Sequence, residues 1–191
     1  MNILITGGTG FIGSRLAMPC RRRGDRVVVL GQENTDAEKQ NRQSIEDSGA
    51  TVVCGSVTDP ELLAEVVKDI DTVFHLAAAQ HEANIADQVF YDVNVTGTQN
   101  VLEACLGAGV KRFVHGSTIG VYGSPNGAVD ESSLCRPDNI YGQTKLEGET
   151  LALSYKDRIS LAVIRISETY GPGDRRLLKL FRAIDKKRFF K

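Results

Sequence analysis

Tryptophan is absent from this chain, and no two of its four cysteines stand in a Cys-x-x-Cys spacing. Cys20, Cys54, Cys105 and Cys135 lie far apart, so neither a zinc site nor a redox pair is indicated, and buried, reduced thiols are expected. A nucleophilic cysteine would need an activating base, and the spacing of His75, His81 and His115 singles none out. Long apolar runs are missing too. None approaches the ~20 residues that span a bilayer, and no basic stretch followed by a cleavable apolar segment opens the chain. An excess of one charge is also lacking: 23 basic residues stand against 24 acidic ones, a formal charge of -1, which offers no footing for a nucleic acid or a membrane. A cytoplasmic protein acting on small molecules is the expectation.

What is present is an ordinary mixture of apolar and charged residues over 191 positions, enough for one main domain with a substantial core. Apolar, β-rich runs recur at Ile3–Thr6, Arg26–Leu30, Thr51–Cys54, Thr72–Leu76, Arg112–His115 and Leu161–Ile166, and each predicts a strand. Helical periodicity fills the intervals at Phe11–Arg23, Ala37–Ser48, Pro60–Lys68, Asp87–Ala108 and Asn139–Ser154. Such alternation predicts an α/β fold, a doubly wound parallel sheet with helices on both faces. Gly24, Gly49 and Gly109 follow three of the helices, as helix stops do, and Pro60 suits a first helical turn. The stretch 123–139, rich in Gly, Pro, Ser, Asn and Asp, reads as a surface loop.

The first strand runs straight into Gly7-Gly8-Thr9-Gly10-Phe11-Ile12-Gly13 and then a helix. Residues without a Cβ allow a tight turn, close approach to a pyrophosphate, and packing of the helix on the strand while its N-terminus faces the anion. Two registers fit, Gly8/Gly10/Gly13 and Gly7/Gly10/Gly13, and spacing does not choose between them. An acidic residue is the usual next feature, at the end of the second strand, where it binds the adenosine ribose hydroxyls. Here that strand ends in Gly31, followed by Gln32 and Glu33, and no arginine stands there for a 2′-phosphate. NAD and NADP both stay open, with Glu33 tilting the balance towards NAD if its loop bends back.

Further along, the strand Arg112–His115 leads into Ser117 and Thr118, and after the loop come Tyr141 and Lys145. Four residues apart on a helix, Tyr141 and Lys145 share one face. A phenol of pKa ~10 is a weak base at neutral pH, but a neighbouring ammonium favours its anion. Such a tyrosine can exchange a proton with a substrate hydroxyl while a Ser or Thr hydroxyl binds the same oxygen. Each signal alone is common on any amphipathic helix or turn. Their order after an N-terminal dinucleotide turn, at the carboxyl edge of a parallel sheet, is what gives them weight.

Together the segments TGGTGFIG (6–13), HLAA (75–78), NVTGTQNVLEA (94–104), STIGVYG (117–123), YGQTK (141–145) and RISETYGPGD (165–174) resemble the extended short-chain dehydrogenases/reductases of the NAD-dependent epimerase/dehydratase family. The resemblance implies Thr118, Tyr141 and Lys145 as catalytic residues: a hydroxyl, an acid/base and a nicotinamide-ribose ligand. It implies Asn94 as a support for the active-site helix. The cofactor-binding set it implies is Gly7, Gly10, Phe11, Ile12, Gly13, Gly31, Ser56, Val57, Leu76, Ala77, Ala78, Ser117, Tyr141 and Lys145, holding NAD or NADP. The implied reaction is hydride transfer at a secondary hydroxyl or ketone carbon, first as a nucleotide-sugar epimerase. A reductase or dehydrogenase of another hydroxyl substrate and a non-catalytic dinucleotide-binding module are the alternatives. A homodimer through the helices 87–108 and 139–154 is also implied.

Departures narrow these options. Thr118 is followed by Ile119 and Gly120, where hexose dehydratases resemble Thr-Asp-Glu, which argues against a 4,6-dehydratase. Glu168 stands where many nucleotide-sugar enzymes have an asparagine facing a diphosphate, and Ser56 replaces an adenine-binding aspartate, with Asp59 three positions on. Family members resemble a Rossmann domain followed by a smaller substrate domain. The expectation is therefore a dinucleotide-binding domain over 1–178 and, over 179–191, the start of a truncated substrate region, the basic and aromatic 186–191 being a helix end entering a lost strand.

Overall fold

A computed structural model describes residues 1–80, 86–174 and 178–188. His81 and the terminal residues 189–191 lie outside the described residues. Six parallel strands form one sheet in the order β3-β2-β1-β4-β5-β6: β1 (Asn2–Thr6), β2 (Arg26–Gly31), β3 (Thr51–Cys54), β4 (Thr72–His75), β5 (Arg112–Thr118) and β6 (Ser160–Ile166). Chain order reverses between β1 and β4, which opens a crevice beyond their carboxyl ends.

The strands are apolar without interruption because both faces are covered. Alternate residues divide between two cores. Ile3, Ile5, Val27 and Val29 pack with Ala17 of α1 (Phe11–Arg22) and Ile45 of α2 (Asp36–Asp47) on one face. Leu4, Val28, Leu30 and Phe113 point the other way, towards Leu63 of α3 (Pro60–Val66) and Val101, Leu102 and Cys105 of a later helix. Burying each such side chain contributes about 1.5–3 kcal/mol. Local signals start the helices. Thr35 and Glu38 form a reciprocal capping box on α2, and Asp59 accepts from the Leu62 N–H at 3.0 Å to cap α3. Asp59 is therefore committed to its helix.

Three expectations change. The run 87–108 is not one regular helix: α4 (Asp87–Tyr91) passes through a π-turn over Asp92–Thr96 into α5 (Gly97–Ala108), which ends at left-handed Gly109 (φ 71°). β5 is longer than predicted, because Ser117 and Thr118 pair with Arg165 and Ile166 of β6. The thiols are not all buried: Cys20 and Cys105 are, whereas Cys54 is exposed and Cys135 half-buried. The chain continues through α6 (Ile140–Leu153) and, after β6, α7 (Leu178–Asp185), on which Leu180, Phe181 and Ile184 are exposed.

Candidate active site

The glycine turn sits at the switch point between β1 and β4. Gly7 is left-handed (φ 66°), and a Cβ on it would lie 2.7 Å from the Ala77 nitrogen and 2.8 Å from the Leu76 carbonyl carbon. A side chain there would collide with the start of the loop after β4. Gly8 is needed for a different reason: its Cβ would meet Val29 Cγ1 at 2.5 Å. The backbone requirement thus follows the Gly7, Gly10, Gly13 register, with Gly8 a packing residue. Gly10 caps α1 without any side-chain hydrogen bond, and no acidic residue occupies the first turn at Phe11, Ile12 and Gly13. A cradle that tolerates no Cβ and a helix start left to an anion fit a pyrophosphate.

Beneath the cradle runs a directional hydrogen-bond chain. The Thr98 hydroxyl donates to the Asn94 carbonyl at 2.7 Å, so it accepts from His75 Nε2 at 3.0 Å. His75 Nδ1 must then accept from the Thr6 hydroxyl at 2.8 Å, and Thr6 Oγ1 in turn accepts from the Ala77 N–H at 3.3 Å. The imidazole is neutral: burial, reinforced by the charge of Lys145, pushes it down to about 3. His75 thereby pins the Leu76–Ala78 segment to β1 and α5. Asn94, fully buried in the π-turn, adds a second tie. It accepts from the Ala79 N–H at 2.8 Å and donates to Ala79 O and to Thr144 Oγ1 of α6 at 3.1 and 3.0 Å. Gly148 lets α6 approach the Asn94 carbonyl, where a Cβ would clash.

Thr118 ends β5 half-buried, its Oγ1 accepting from the Gly120 N–H at 3.1 Å. Tyr141 and Lys145 lie in the first two turns of α6, which packs on β5 and on the short helical turn Ile119–Tyr122. Lys145 is 2 % exposed, and burial lowers its ammonium to about 8 against the opposing pull of Glu149. Ser117 does not present its hydroxyl to the crevice. It donates to Glu149 Oε2 at 2.6 Å, and Arg165 binds the same carboxylate, its Nη2 2.6 Å from Oε1. Arg165 Nη1 also donates to the Tyr122 hydroxyl, which donates to Asp130 O, so one buried network joins β5, α6, β6 and the loop after Tyr122. Glu149 escaped the sequence reading, although Tyr141, Lys145 and Glu149 fall at i, i+4 and i+8 on one helical face.

The remaining expected cofactor contacts lie at the carboxyl ends of β2 and β3, where the Gly55 N–H donates to the Gly31 carbonyl at 3.0 Å. Val57 is buried under α5, its carbonyl accepting from Asn100 at 3.2 Å, and Ser56 Oγ bonds Thr58 Oγ1 at 2.8 Å. Gly31 is closed off by Thr9, whose Cγ2 would stand 2.8 Å from a Cβ.

The model of the NAD dependent epimerase/dehydratase family matches residues 3–188. The chain belongs to this family. It is 37% identical over 184 residues to a dTDP-glucose 4,6-dehydratase of Streptomyces niveus, covering 90% of this chain and 55% of that protein. It is 30% identical over 189 residues to a 3beta-hydroxysteroid-dehydrogenase/decarboxylase of Arabidopsis thaliana, covering 92% and 33%. Among solved structures it resembles UDP-glucuronic acid 4-epimerase from Bacillus cereus in complex with NAD, at 33% identity and a TM-score of 0.88, covering 98% of this chain and 64% of that one. The chain thus spans about half the length of the curated dehydratase it matches. Ile119 and Gly120 open the short helical turn after Thr118, and the Ile119 side chain is exposed and apolar. No helix among the described residues is long and apolar enough to cross a membrane.

Proposed function

We propose that this chain binds NAD and carries the hydride-transfer half of an epimerase-like enzyme acting on a nucleotide sugar. The observation that carries the reading is the convergence of the glycine cradle, Thr118 and the Tyr141/Lys145 face of α6 at the carboxyl edge of β1, β4 and β5. Bound NAD would supply reversible hydride acceptance from a secondary alcohol carbon. Gly7, Gly10 and Gly13 hold its pyrophosphate against α1, and Ala77 and Ala78 line its path. Thr118 donates a hydrogen bond to the substrate oxygen, and Tyr141 moves that oxygen's proton. Lys145, still charged at neutral pH with a value of about 8, binds the nicotinamide ribose and assists proton removal by Tyr141. Glu149 and Arg165 act from behind, fixing Ser117 and so the end of β5.

Calorimetric titration of NAD tests binding. Addition of UDP-glucose, UDP-glucuronic acid and dTDP-glucose, with absorbance of the reduced nicotinamide followed, then tests chemistry. The expected result is binding, transient reduction with at least one sugar nucleotide, and loss of reduction in Tyr141→Phe. Because this chain spans about half the length of the curated dehydratase it matches, the chemistry is tested on the full-length protein: unchanged turnover there in Tyr141→Phe refutes the acid/base role, and binding without any redox change there refutes the enzyme.

A second reading has its own observation. Glu168 is exposed beyond the end of β6, where a carboxylate repels a diphosphate, which favours a dehydrogenase or reductase of an uncharged hydroxyl substrate. Reduction of NAD by secondary alcohols such as sterols, or oxidation of NADH by ketones, with neither change on sugar nucleotides, would select it. The same proposal includes a dinucleotide-binding domain over 1–178 with a substrate region beginning at 179. It includes a cytoplasmic setting, in keeping with four free cysteines. It also includes a homodimer through α4, α5 and α6, on which Val89 and Leu153 are exposed apolar residues. A monomer by light scattering would refute the dimer.

A further inference from the structure

The strand end where an acid would meet the adenosine ribose is sterically shut. Gly31 is buried, and Thr9, 1 % exposed, fills the space a side chain would need while its hydroxyl accepts from the Gln32 N–H at 3.1 Å. An acidic group stands close by in the chain instead. Glu33, two residues on, is held from two directions: its Oε1 accepts from the Cys54 thiol at 2.7 Å and from the guanidinium of Arg42 on α2. Cys54 is the register partner of Gly31, so this cluster stands at the carboxyl ends of β2 and β3, beside the crevice. Both bonds end on Oε1. Among the described residues Oε2 takes none, and the Glu33 side chain is 28% exposed.

The charges around it are not balanced. Arg42 is shared between two carboxylates, since its Nε also donates to Glu46 at 2.9 Å. Two negative groups and one positive group leave an excess of negative charge, and Arg42, bound to both, is a poor partner for an incoming phosphate. A hydroxyl can donate to a carboxylate oxygen, whereas a phosphate ester only accepts and is repelled.

We propose that Glu33, positioned by Arg42 and Cys54, accepts the adenosine ribose hydroxyls in place of a strand-end acid and makes this chain select NAD over NADP. The inference rests on the dinucleotide-binding reading above and names the residue that sets its specificity.

Titration of NAD and NADP into the full chain and into Glu33→Gln tests it. The expected result is NAD bound about tenfold or more tighter than NADP, with Glu33→Gln weakening NAD about tenfold and bringing the two affinities together, the size expected for a lost charged hydrogen bond. A measurement independent of the variant is alkylation of Cys54, which saturating NAD should slow about fivefold or more, the order expected for a thiol covered when its site is mostly occupied. Equal affinity for NAD and NADP in the unaltered chain overturns the proposal. So does a folded Glu33→Gln whose NAD affinity is unchanged, or Cys54 alkylation indifferent to NAD. Those outcomes leave dinucleotide binding standing, whereas binding of neither dinucleotide sinks both readings together.

Discussion

Acid should destabilise this fold well above the pH at which its carboxylates titrate. His75 and His115 are both 0 % exposed, and burial holds each imidazole below its ordinary 6.5, His75 at about 3. In the unfolded chain both take up a proton near pH 6.5; in the folded chain neither does until far lower. The unfolded state therefore binds more protons throughout that window, and stability falls as pH falls. His75 contributes a slope of about 1.4 kcal/mol per pH unit and so costs about 2 kcal/mol between pH 6.5 and 4.5, and His115 adds to the loss in the same direction, a large part of a typical domain's stability. Asp25, Asp71 and Asp130, whose carboxyls are held down by their hydrogen bonds, lose their contributions as pH falls from the ordinary carboxylate range downward, so most of the histidine window stands apart. Urea unfolding followed by far-ultraviolet circular dichroism at half-unit pH steps reads the slope directly, and the absence of tryptophan makes that probe preferable to fluorescence. The two histidines separate by mutation. His115 makes no hydrogen bond among the described residues, at either ring nitrogen, so His115→Leu should flatten the slope and raise stability at pH 5. His75→Gln should also flatten the slope, but should lower stability at pH 7 because it disturbs the Thr6 and Thr98 bonds. A midpoint flat from pH 6.5 to 4.5 would refute the argument.

Gly7→Ala should cost about 2 kcal/mol or more and remove dinucleotide binding, since it combines a left-handed backbone with a collision at Ala77; calorimetry at unchanged far-ultraviolet signal would catch binding loss alone. Glu149→Gln leaves Arg165 without its buried counter-charge and should destabilise the chain by about 3 kcal/mol, a loss measurable as a lower urea midpoint; a change under 1 kcal/mol would show the network to be dispensable. Gly31→Asp, the change that would restore a strand-end acid, should destabilise the chain through Thr9 without tightening NAD, and Thr9→Ala in the same chain should relieve much of the cost. Tighter NAD binding by Gly31→Asp alone would contradict the steric account.

Legibility in the sequence followed the range of the interactions. The order of strands and helices, the glycine turn and the stops at Gly24, Gly49 and Gly109 depend on residues a few positions apart, and the fold shows them. Boundaries that depend on distant partners shifted: β5 runs on to Thr118 because β6 lies alongside, and the helix over 87–108 breaks at Asn94, whose side chain bridges Ala79 and Thr144. The cysteines were read as a class, yet exposure separates Cys54 from Cys20 and Cys105.

The candidate site divides along the same line. Glycine spacing, strand periodicity and the Tyr141–Lys145 interval determined by themselves that the chain would make a doubly wound sheet with a glycine turn at its first strand–helix junction and that Tyr141 and Lys145 would share one helix, since each is a property of one continuous segment. Only the tertiary structure decided what Glu33 and Glu149 do, whereas Asp59 caps its own helix. A carboxylate's role depends on which donors surround it, and apart from the local cap on Asp59 those donors come from segments far away in the chain: Arg42 and Cys54 for Glu33, Ser117 and Arg165 for Glu149.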